Sequence, residues 1–129
     1  KNFTTLECSD CKNISDKSIR ELKGLTTLGC NWCENISDNS IRELKNLTSL
    51  DCNGCQNISD DSIKYLKNLE ILECGDCDNI TDMGMIELKN LKRLRCFSRN
   101  ISVETIKYLV KYLKKLEIVN EIKVEKIGI

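Results

Sequence analysis

The sequence predicts an α/β solenoid in which a parallel β-sheet lines the concave face and short helices cover the convex face. Leucine recurs every 22 residues from Leu6 to Leu116, and cysteine recurs with the same period from Cys8 to Cys96. Each interval contains a short alternating segment followed by a segment with helical spacing. One such unit cannot bury its apolar side alone, so the units must stack on one another.

The first half of each unit predicts a strand. In the second unit the letters "TLGC" alternate, which places Leu28 and Cys30 on the same face of a short extended segment. Leucine and cysteine at these positions in every unit would therefore line the same side of the sheet, toward the core.

The second half of each unit predicts a short helix. In "SDNSIRELKN", Ser37 and Asp38 are both good N-cap residues, and Ile41 and Leu44 are three apart on one helical face. Asn46 ends the segment, and asparagine tolerates the left-handed conformation that many helices adopt at their C-terminal end. We therefore expect Asn46 and its equivalents to turn the chain back to the next strand.

The pattern predicts one domain over residues 1–129, made of about five to six repeats. The fifth unit departs from the others, because one residue is missing between Cys96 and Ile101. Residues 113–129 then alternate, so we expect them to form a C-terminal cap that hides the last core face. Because the chain begins inside the repeating pattern at Lys1, we expect it to be a fragment of a longer protein.

The repeat resembles a known family. The consensus of the units reads L-x-x-L-x-C-x-x-C-x-N-I-[ST]-D, and its first nine residues are similar to the strand signature of leucine-rich repeats, with cysteine at the third leucine. The continuation resembles the cysteine-containing subclass found in the substrate-receiving part of F-box proteins. The resemblance covers residues 3–119 and implies a leucine-rich-repeat solenoid that binds a protein partner. It also implies a possible role as adaptor of a ubiquitin ligase if an F-box lies upstream.

Composition argues against several functions. Twenty basic and twenty acidic side chains cancel, which argues against nucleic acid as a partner. No apolar run approaches the roughly 20 residues needed to cross a membrane, so we expect no membrane association. Histidine is absent, and no glycine-rich phosphate loop follows a strand. We therefore expect neither catalytic residues nor a cofactor.

The cysteines allow two interpretations. Two Cys-x-x-Cys pairs, Cys8/Cys11 and Cys30/Cys33, are separated by a spacing that structural zinc sites use, which leaves a zinc-binding protein as an alternative. The repeat favours buried, reduced thiols that replace leucine in the core, with the second cysteine donating weakly to the backbone of the turn. Strands lie about 4.8 Å apart, which is too wide for a tetrahedral thiolate site, so we expect no metal.

The thiols also indicate a compartment. Nine cysteines, all expected to be reduced, are typical of an intracellular, cytoplasmic protein. Glycosylation sequons, which would be expected in a secreted protein, recur at the repeat period. Their regular spacing indicates that the consensus of the turn requires these residues, and not glycosylation. The recurring asparagines are Asn13, Asn35, Asn57 and Asn79.

The candidate site is the concave face, where strand residues not needed by the core are available for a partner. Acidic residues occupy the first four units and basic residues the fifth, which predicts a bipolar surface able to orient a partner. Trp32, flanked by Gly29 and Gly54, is the predicted aromatic anchor. The predicted partner-binding residues are Glu7, Asp10, Trp32, Asp51, Glu73, Asp76, Arg93, Arg95 and Phe97.

These patterns together predict a non-catalytic protein–protein interaction module that grips a protein partner on its concave face. One alternative is the substrate-recognition part of an F-box-type ubiquitin ligase receptor. The other is a cysteine-rich zinc protein.

Overall fold

The computed structural model describes residues 3–96, 99–113 and 116–118. Short strands and short helices alternate along the chain. The strands are β1 (Thr5–Glu7), β2 (Thr27–Gly29), β3 (Ser49–Asp51), β4 (Ile71–Glu73), β5 (Arg93–Arg95) and β6 (Glu117–Ile118). The helices are α1 (Asp16–Ile19), α2 (Asp38–Ile41), α3 (Asp60–Ile63), α4 (Asp82–Met85) and α5 (Val103–Tyr112).

The six strands form one parallel sheet in chain order, as the repeat predicts. From β1 to β5 each residue pairs with the residue 22 positions later, as in Leu6 with Leu28 and Leu28 with Leu50. The last pairing differs, because Leu94 pairs with Ile118, which is 24 positions later.

The predicted assignment of Leu116 to this ladder is therefore wrong. Helix α5 has 10 residues whereas α1–α4 have 4 each, so the chain returns to the sheet two residues late. Leu116 packs against the core from a partly buried position instead. The predicted cap over residues 113–129 lies mostly outside the described residues.

The core lies between the sheet and the helices and contains leucine, isoleucine and cysteine. The central leucine of each strand from β2 to β5 is fully buried, and so is the first cysteine of the corresponding units. Burying each leucine stabilises the fold by about 1.5–3 kcal/mol. These residues are Leu28, Leu50, Leu72, Leu94, Cys30, Cys52, Cys74 and Cys96.

Hydrogen bonds between an aspartate of one unit and a serine or threonine of the next connect successive helical turns. We call this contact the aspartate–serine joint. The carboxylate of Asp38, the first residue of α2, accepts hydrogen bonds from the Ser59 amide at 2.8 Å and from the Ser62 hydroxyl at 2.5 Å. Ser59 is the N-cap of α3 and its hydroxyl accepts from the Asp61 amide. The prediction of a serine N-cap is confirmed, but the adjacent aspartate serves the following unit and not its own helix.

The same joint recurs along the array. Asp16 accepts from Ser37 and Ser40 in the next unit, and Asp60 accepts from the amide and hydroxyl of Thr81. Gly84 replaces the buried serine in the fourth unit, where an added Cβ would lie 2.4 Å from an oxygen of Asp60. In the fourth unit the Asp60 carboxylate therefore occupies the space that a serine side chain would fill.

The recurring asparagines also bridge units. Asn35 and Asn57 donate through their side-chain amides to the carbonyls of Lys12 and Glu34, each at 2.8 Å. The sequons therefore recur because the turn needs asparagine as a donor.

Asn46 has a related role at the end of the helical segment. It donates to the Lys23 carbonyl at 3.0 Å, and it is not among the described residues with positive φ. The predicted left-handed return at Asn46 is therefore wrong. The left-handed residues lie after the strands instead.

Within the described part of the chain, none of the helices has the length and apolar character that a membrane span requires.

Candidate functional site

Five residues that occupy the same register across the sheet form what we call the strand row. Each is the last residue of its strand, and successive members pair directly across β1 to β5. The row consists of Glu7, Gly29, Asp51, Glu73 and Arg95. The register thus brings together four of the predicted site residues.

Glu7 covers the glycine beside it. A Cβ added to Gly29 would lie 2.0 Å from Oε2 of Glu7, so the carboxylate occupies the space that a side chain on β2 would fill. The hydroxyl of Ser9 donates to the other oxygen of Glu7 at 2.6 Å. Gly29 is consequently buried, and the expectation that it lies exposed beside Trp32 is wrong.

Asp51 lies at the centre of the acidic part of the row. The side-chain amides of Asn31 and Asn53 donate to its two oxygens at 3.1 and 2.7 Å. Burial raises the pKa of Asp51, and the nearby carboxylates of Glu73 and Glu7 raise it further. These two effects outweigh the hydrogen bond from Asn31, which lowers the pKa. The row therefore concentrates negative charge that a cationic group would relieve.

Four residues at equivalent positions after the strands form what we call the turn column. All four have left-handed backbone conformations: Asp10 (φ 63°), Trp32 (φ 61°), Gly54 (φ 75°) and Asp76 (φ 57°). The amide of Trp32 donates to the Asn53 carbonyl at 2.9 Å, so the parallel hydrogen bonding continues past the strands into these turns. The stacking of the units, and not the residue type, imposes this conformation.

Trp32 lies on the next unit's glycine. A Cβ added to Gly54 would lie 2.2 Å from Cε3 of the indole, so the ring covers the Gly54 backbone. The other side of the ring faces solvent, and 52% of Trp32 is exposed. The prediction that Trp32 is an exposed aromatic residue beside Gly54 is confirmed, and the glycine provides the flat surface on which it rests.

The predicted charge separation is only partly present. Lys92 pairs with Glu70 at 3.4 Å and Arg95 with Glu73 at 3.8 Å, so charges of the fourth and fifth units meet each other. Pairs this exposed contribute at most about 1 kcal/mol each.

The remaining predicted site residues lie on β5 and in the turn column. Arg93 is exposed on β5, while Asp10 and Asp76 are exposed in the turn column. Phe97, the weaker aromatic candidate, lies outside the described residues. The exposed acidic residues of the turn column thus lie in the first and fourth units.

A ladder of polar side chains along the sheet was not predicted. The hydroxyl of Ser9 accepts from the backbone amide of Asn31 at 3.2 Å, and the side-chain Oδ1 of Asn31 accepts from the backbone amide of Asn53 at 2.8 Å. Oδ1 of Asn53 then accepts from the Gly75 amide at 2.6 Å. The signal in the sequence was serine or asparagine recurring every 22 residues, at positions that had been assigned to a variable surface.

The cysteines do not form a metal site among the described residues. All nine lie in this part of the chain as reduced thiols, and eight are buried. No group of three or more Cys, Asp or Glu side chains in the described ranges is arranged to hold a metal ion.

The second cysteine of units two, three and four instead donates to the backbone. Sγ of Cys33 donates to the Cys8 carbonyl at 3.0 Å, and Sγ of Cys55 donates to the Cys30 carbonyl at 3.0 Å. Donation to backbone is confirmed, although the acceptor belongs to the preceding unit. Cys11 is exposed, so the expectation that every thiol is buried is wrong for this residue.

The first cysteine of units one to four is also held in its neutral form. Burial and the neighbouring Cys33 raise the pKa of Cys8 to about 12, and burial with the neighbouring Cys96 raises the pKa of Cys74. Thiolates are the form that binds zinc or attacks an electrophile. These cysteines are therefore suited to filling the core.

The described clefts are open and lined by charged or polar side chains. One lies between Arg20, Lys23 and Glu43, and another lies between Asp76, Arg99 and Asn100. Neither contains a cysteine, and the chain has no histidine to activate a nucleophile.

Comparison with solved structures identifies the fold. The chain is similar to one in the crystal structure of the Rad7 and Elc1 complex from yeast, with a TM-score of 0.69 and 20% identity. The alignment covers 97% of this chain and 33% of that chain, so this chain spans about a third of its length. The fold is a leucine-rich-repeat-type α/β solenoid.

The predicted fold class is thereby confirmed, with the parallel sheet on the concave face and the short helices on the convex face. No protein-family model matches the sequence, and no curated protein matches it.

Proposed function

We propose that this chain is a non-catalytic protein–protein interaction module whose partner binds the concave face, at the acidic end of the strand row and around Trp32. The observation that carries the proposal is the position of Trp32. An aromatic ring that is 52% exposed lies flat on a glycine backbone at the rim of the strand row. Large, rigid aromatic side chains of this kind dominate the binding energy of many protein interfaces.

The charges beside Trp32 indicate the character of the contact. Glu7 and Asp51 face each other across Gly29, and Asp51 already has a raised pKa because of burial and of the carboxylates on either side. A lysine or arginine from a partner would relieve this repulsion and lie within reach of the indole face. We therefore expect the partner to present a basic segment here.

The solved neighbour supports a protein partner only by analogy. That structure is a complex of two proteins, and this chain shares its fold over 97% of its own length. A fold carries many functions, so the residues of the strand row and not the likeness support the proposal.

Affinity capture with purified chain tests it. Trp32→Gly removes the indole ring and introduces glycine, the residue best suited to the left-handed conformation at this position, so the variant should fold. We expect proteins retained by the wild type to be depleted at least about tenfold with this variant, as expected when a hot-spot aromatic is removed. Quantitative mass spectrometry of the eluates measures the ratio.

The control is Tyr112→Ala, which removes an aromatic residue that is 60% exposed on α5, away from the sheet. It should retain the same proteins as the wild type. Equal recovery of every protein by wild type and Trp32→Gly would contradict the proposal.

A second candidate is the substrate-recognition part of an F-box-type ubiquitin ligase receptor in the reducing cytoplasm. It is supported by the C-x-x-C-x-N-I-[ST]-D units that resemble the cysteine-containing subclass and by the reduced thiols. Purification of the full-length protein from its own cells tests it. Co-purified ligase subunits that survive Trp32→Gly would support this role, and their absence at stoichiometric level would contradict it.

A further inference from the structure

The convex side carries a second repeating contact, between a lysine of one unit and a glutamate of the next. Lys23 pairs with Glu43 at 3.7 Å, and Lys67 pairs with Glu87 at 3.2 Å. In both pairs the glutamate follows the lysine by 20 residues. The repeat therefore builds a row of positions at which a lysine ammonium faces a carboxylate.

The pair between these two is incomplete. Lys45 should face residue 65, but this residue is a tyrosine, and no carboxylate of the described residues lies within ion-pair distance of Lys45. Lys45 is exposed, and 48% of Tyr65 is exposed. Lys45 thus lacks the carboxylate that Lys23 and Lys67, in the units on either side of it, have.

The surroundings of this gap are cationic. A cleft of about 160 Å³ is lined by Arg42, Glu43, Lys45 and Tyr65. Glu43 already pairs with Lys23, while Arg42 donates through Nε to the Asp38 carbonyl and keeps its charge. The ammonium of Lys64 lies 5.3 Å from the centre of the Tyr65 ring, although it also approaches Asp61 at 3.9 Å.

We propose that this cleft binds a carboxylate of an acidic peptide segment, which completes the lysine–glutamate row from outside. The incoming carboxylate lies in the cleft beside Tyr65, contacts Lys45 and Arg42, and packs against the exposed ring of Tyr65. The site lies on the opposite side of the solenoid from Trp32, and it does not depend on the concave-face function.

A carboxylate fits better than a phosphate backbone. The same lysine column holds carboxylates at 3.7 and 3.2 Å one unit away on either side. Glu43 is exposed and lines the cleft, so it would repel a long run of phosphates. A peptide with separated acidic residues can place one carboxylate in the gap and avoid this neighbour.

Fluorescence anisotropy with a labelled decapeptide of alternating glutamate and serine tests the proposal at physiological salt. Tyr65→Glu supplies the missing carboxylate within the chain, using the residue that three other units have at this position. It should fold and weaken peptide binding about tenfold, which corresponds to about 1.4 kcal/mol. Lys45→Gln should weaken it to the same extent.

Lys12→Gln is the matched control. It causes the same change in net charge on an exposed residue outside the convex cleft, and it should leave the affinity within about twofold of the wild type. Trp32→Gly should also bind the peptide as the wild type does, so that failure here and failure of the concave-face function can be told apart.

Three results would overturn the proposal. The first is no measurable binding of the peptide to the wild type, and the second is equal affinity for wild type and Tyr65→Glu. The third is tighter binding of a single-stranded oligonucleotide of equal charge than of the peptide, which would identify a general polyanion surface.

Discussion

Trp32 and Gly54 occupy equivalent left-handed turns, but only glycine adopts this conformation without cost. For other residues the left-handed region costs roughly 1–2 kcal/mol, and the turn column holds three such residues. The cost at Trp32 is offset in part by the apolar surface that its ring buries on Gly54. The two residues are therefore coupled across units.

Gly54→Ala should disrupt this coupling. The added Cβ would lie 2.2 Å from the indole, so the ring must move into solvent, and alanine also strains the φ of 75°. We expect a loss of about 1–2 kcal/mol in unfolding free energy. Trp32 is the only tryptophan, so its fluorescence emission should shift to longer wavelength. Unchanged emission together with unchanged urea stability would show that the ring does not rest on Gly54.

Thiol reactivity gives a second prediction for single residues. Cys11 is exposed while the other eight cysteines are buried, and burial holds the pKa of Cys8 near 12. At pH 8 a disulfide reagent should modify one thiol rapidly and the remaining eight only after denaturation. Cys11→Ser should remove the rapid phase. Rapid modification of several thiols in the native protein would contradict the buried columns.

The periodicity of the sequence predicted the burial of the cysteines, because leucine and cysteine alternate within a short segment. It could not predict that Glu7 covers Gly29, since this contact depends on a side chain that reaches across to the next strand. The roles of Asn31 and Asn53 were missed for a similar reason. Their side-chain oxygens accept from the backbone of the next unit, and the pattern of one unit does not show this.

At the scale of the elements, α1 to α4 have 4 residues each and contribute little helical stability of their own. The aspartate–serine joints hold each of these turns to the next. Ser40, which is fully buried, donates to Asp16 at 2.5 Å. Burial raises the pKa of Asp16, but the hydrogen bonds from Ser37 and Ser40 outweigh it and hold the pKa below its usual value of 3.8.

Ser40→Ala should therefore destabilise the protein in a pH-dependent way. The lowered pKa means that ionised Asp16 stabilises the fold above pH 3.8, and this contribution is lost as the pH falls through the native pKa. We expect a loss of about 1 kcal/mol at neutral pH, because Asp16 is only partly buried, and a smaller difference from wild type at pH 2–3. Urea denaturation across this range measures both.

Ser18 provides the matched control, since it is the equivalent serine of the first unit and is exposed. Ser18→Ala should change the stability by less than about 0.5 kcal/mol at either pH. A difference between Ser40→Ala and wild type that grows as the pH falls would contradict the assigned role of Asp16.

The elements also show where sequence reasoning failed. Ser37 was recognised as an N-cap because its residue type and position suffice. The role of Asp16 involves an acceptor and donors in different units, and the offset of β6 follows from the length of α5. Both depend on the path and the number of residues between one strand and the next, which the leucine spacing alone does not determine.

At the scale of the whole molecule, each unit contacts mainly its neighbours, as in other solenoids. A residue inside the stack is thus covered from both sides, and the same residue in the first strand from one side. Leu50 is fully buried in β3, whereas Leu6 in β1 is only partly buried. These two leucines occupy the same register.

Leu50→Ala should therefore cost about 2–5 kcal/mol, and Leu6→Ala clearly less, at about 1 kcal/mol. Urea denaturation followed by circular dichroism measures both. Equal losses would mean that β1 is as well covered as the centre of the stack, in contradiction to the structure.

The aspartate–serine joint has a further consequence for the length of the array. Every internal unit presents an acceptor to the unit after it and donors to the unit before it, so the two ends of a 22-residue segment match each other. Tandem duplication of such a segment would create a new contact between units, with the same hydrogen bonds that connect the other units. The α5 unit keeps the donor, because the Ser102 amide donates to Asp82, but its return to the sheet is offset by two residues, so a copy of this unit would not keep the 22-residue register.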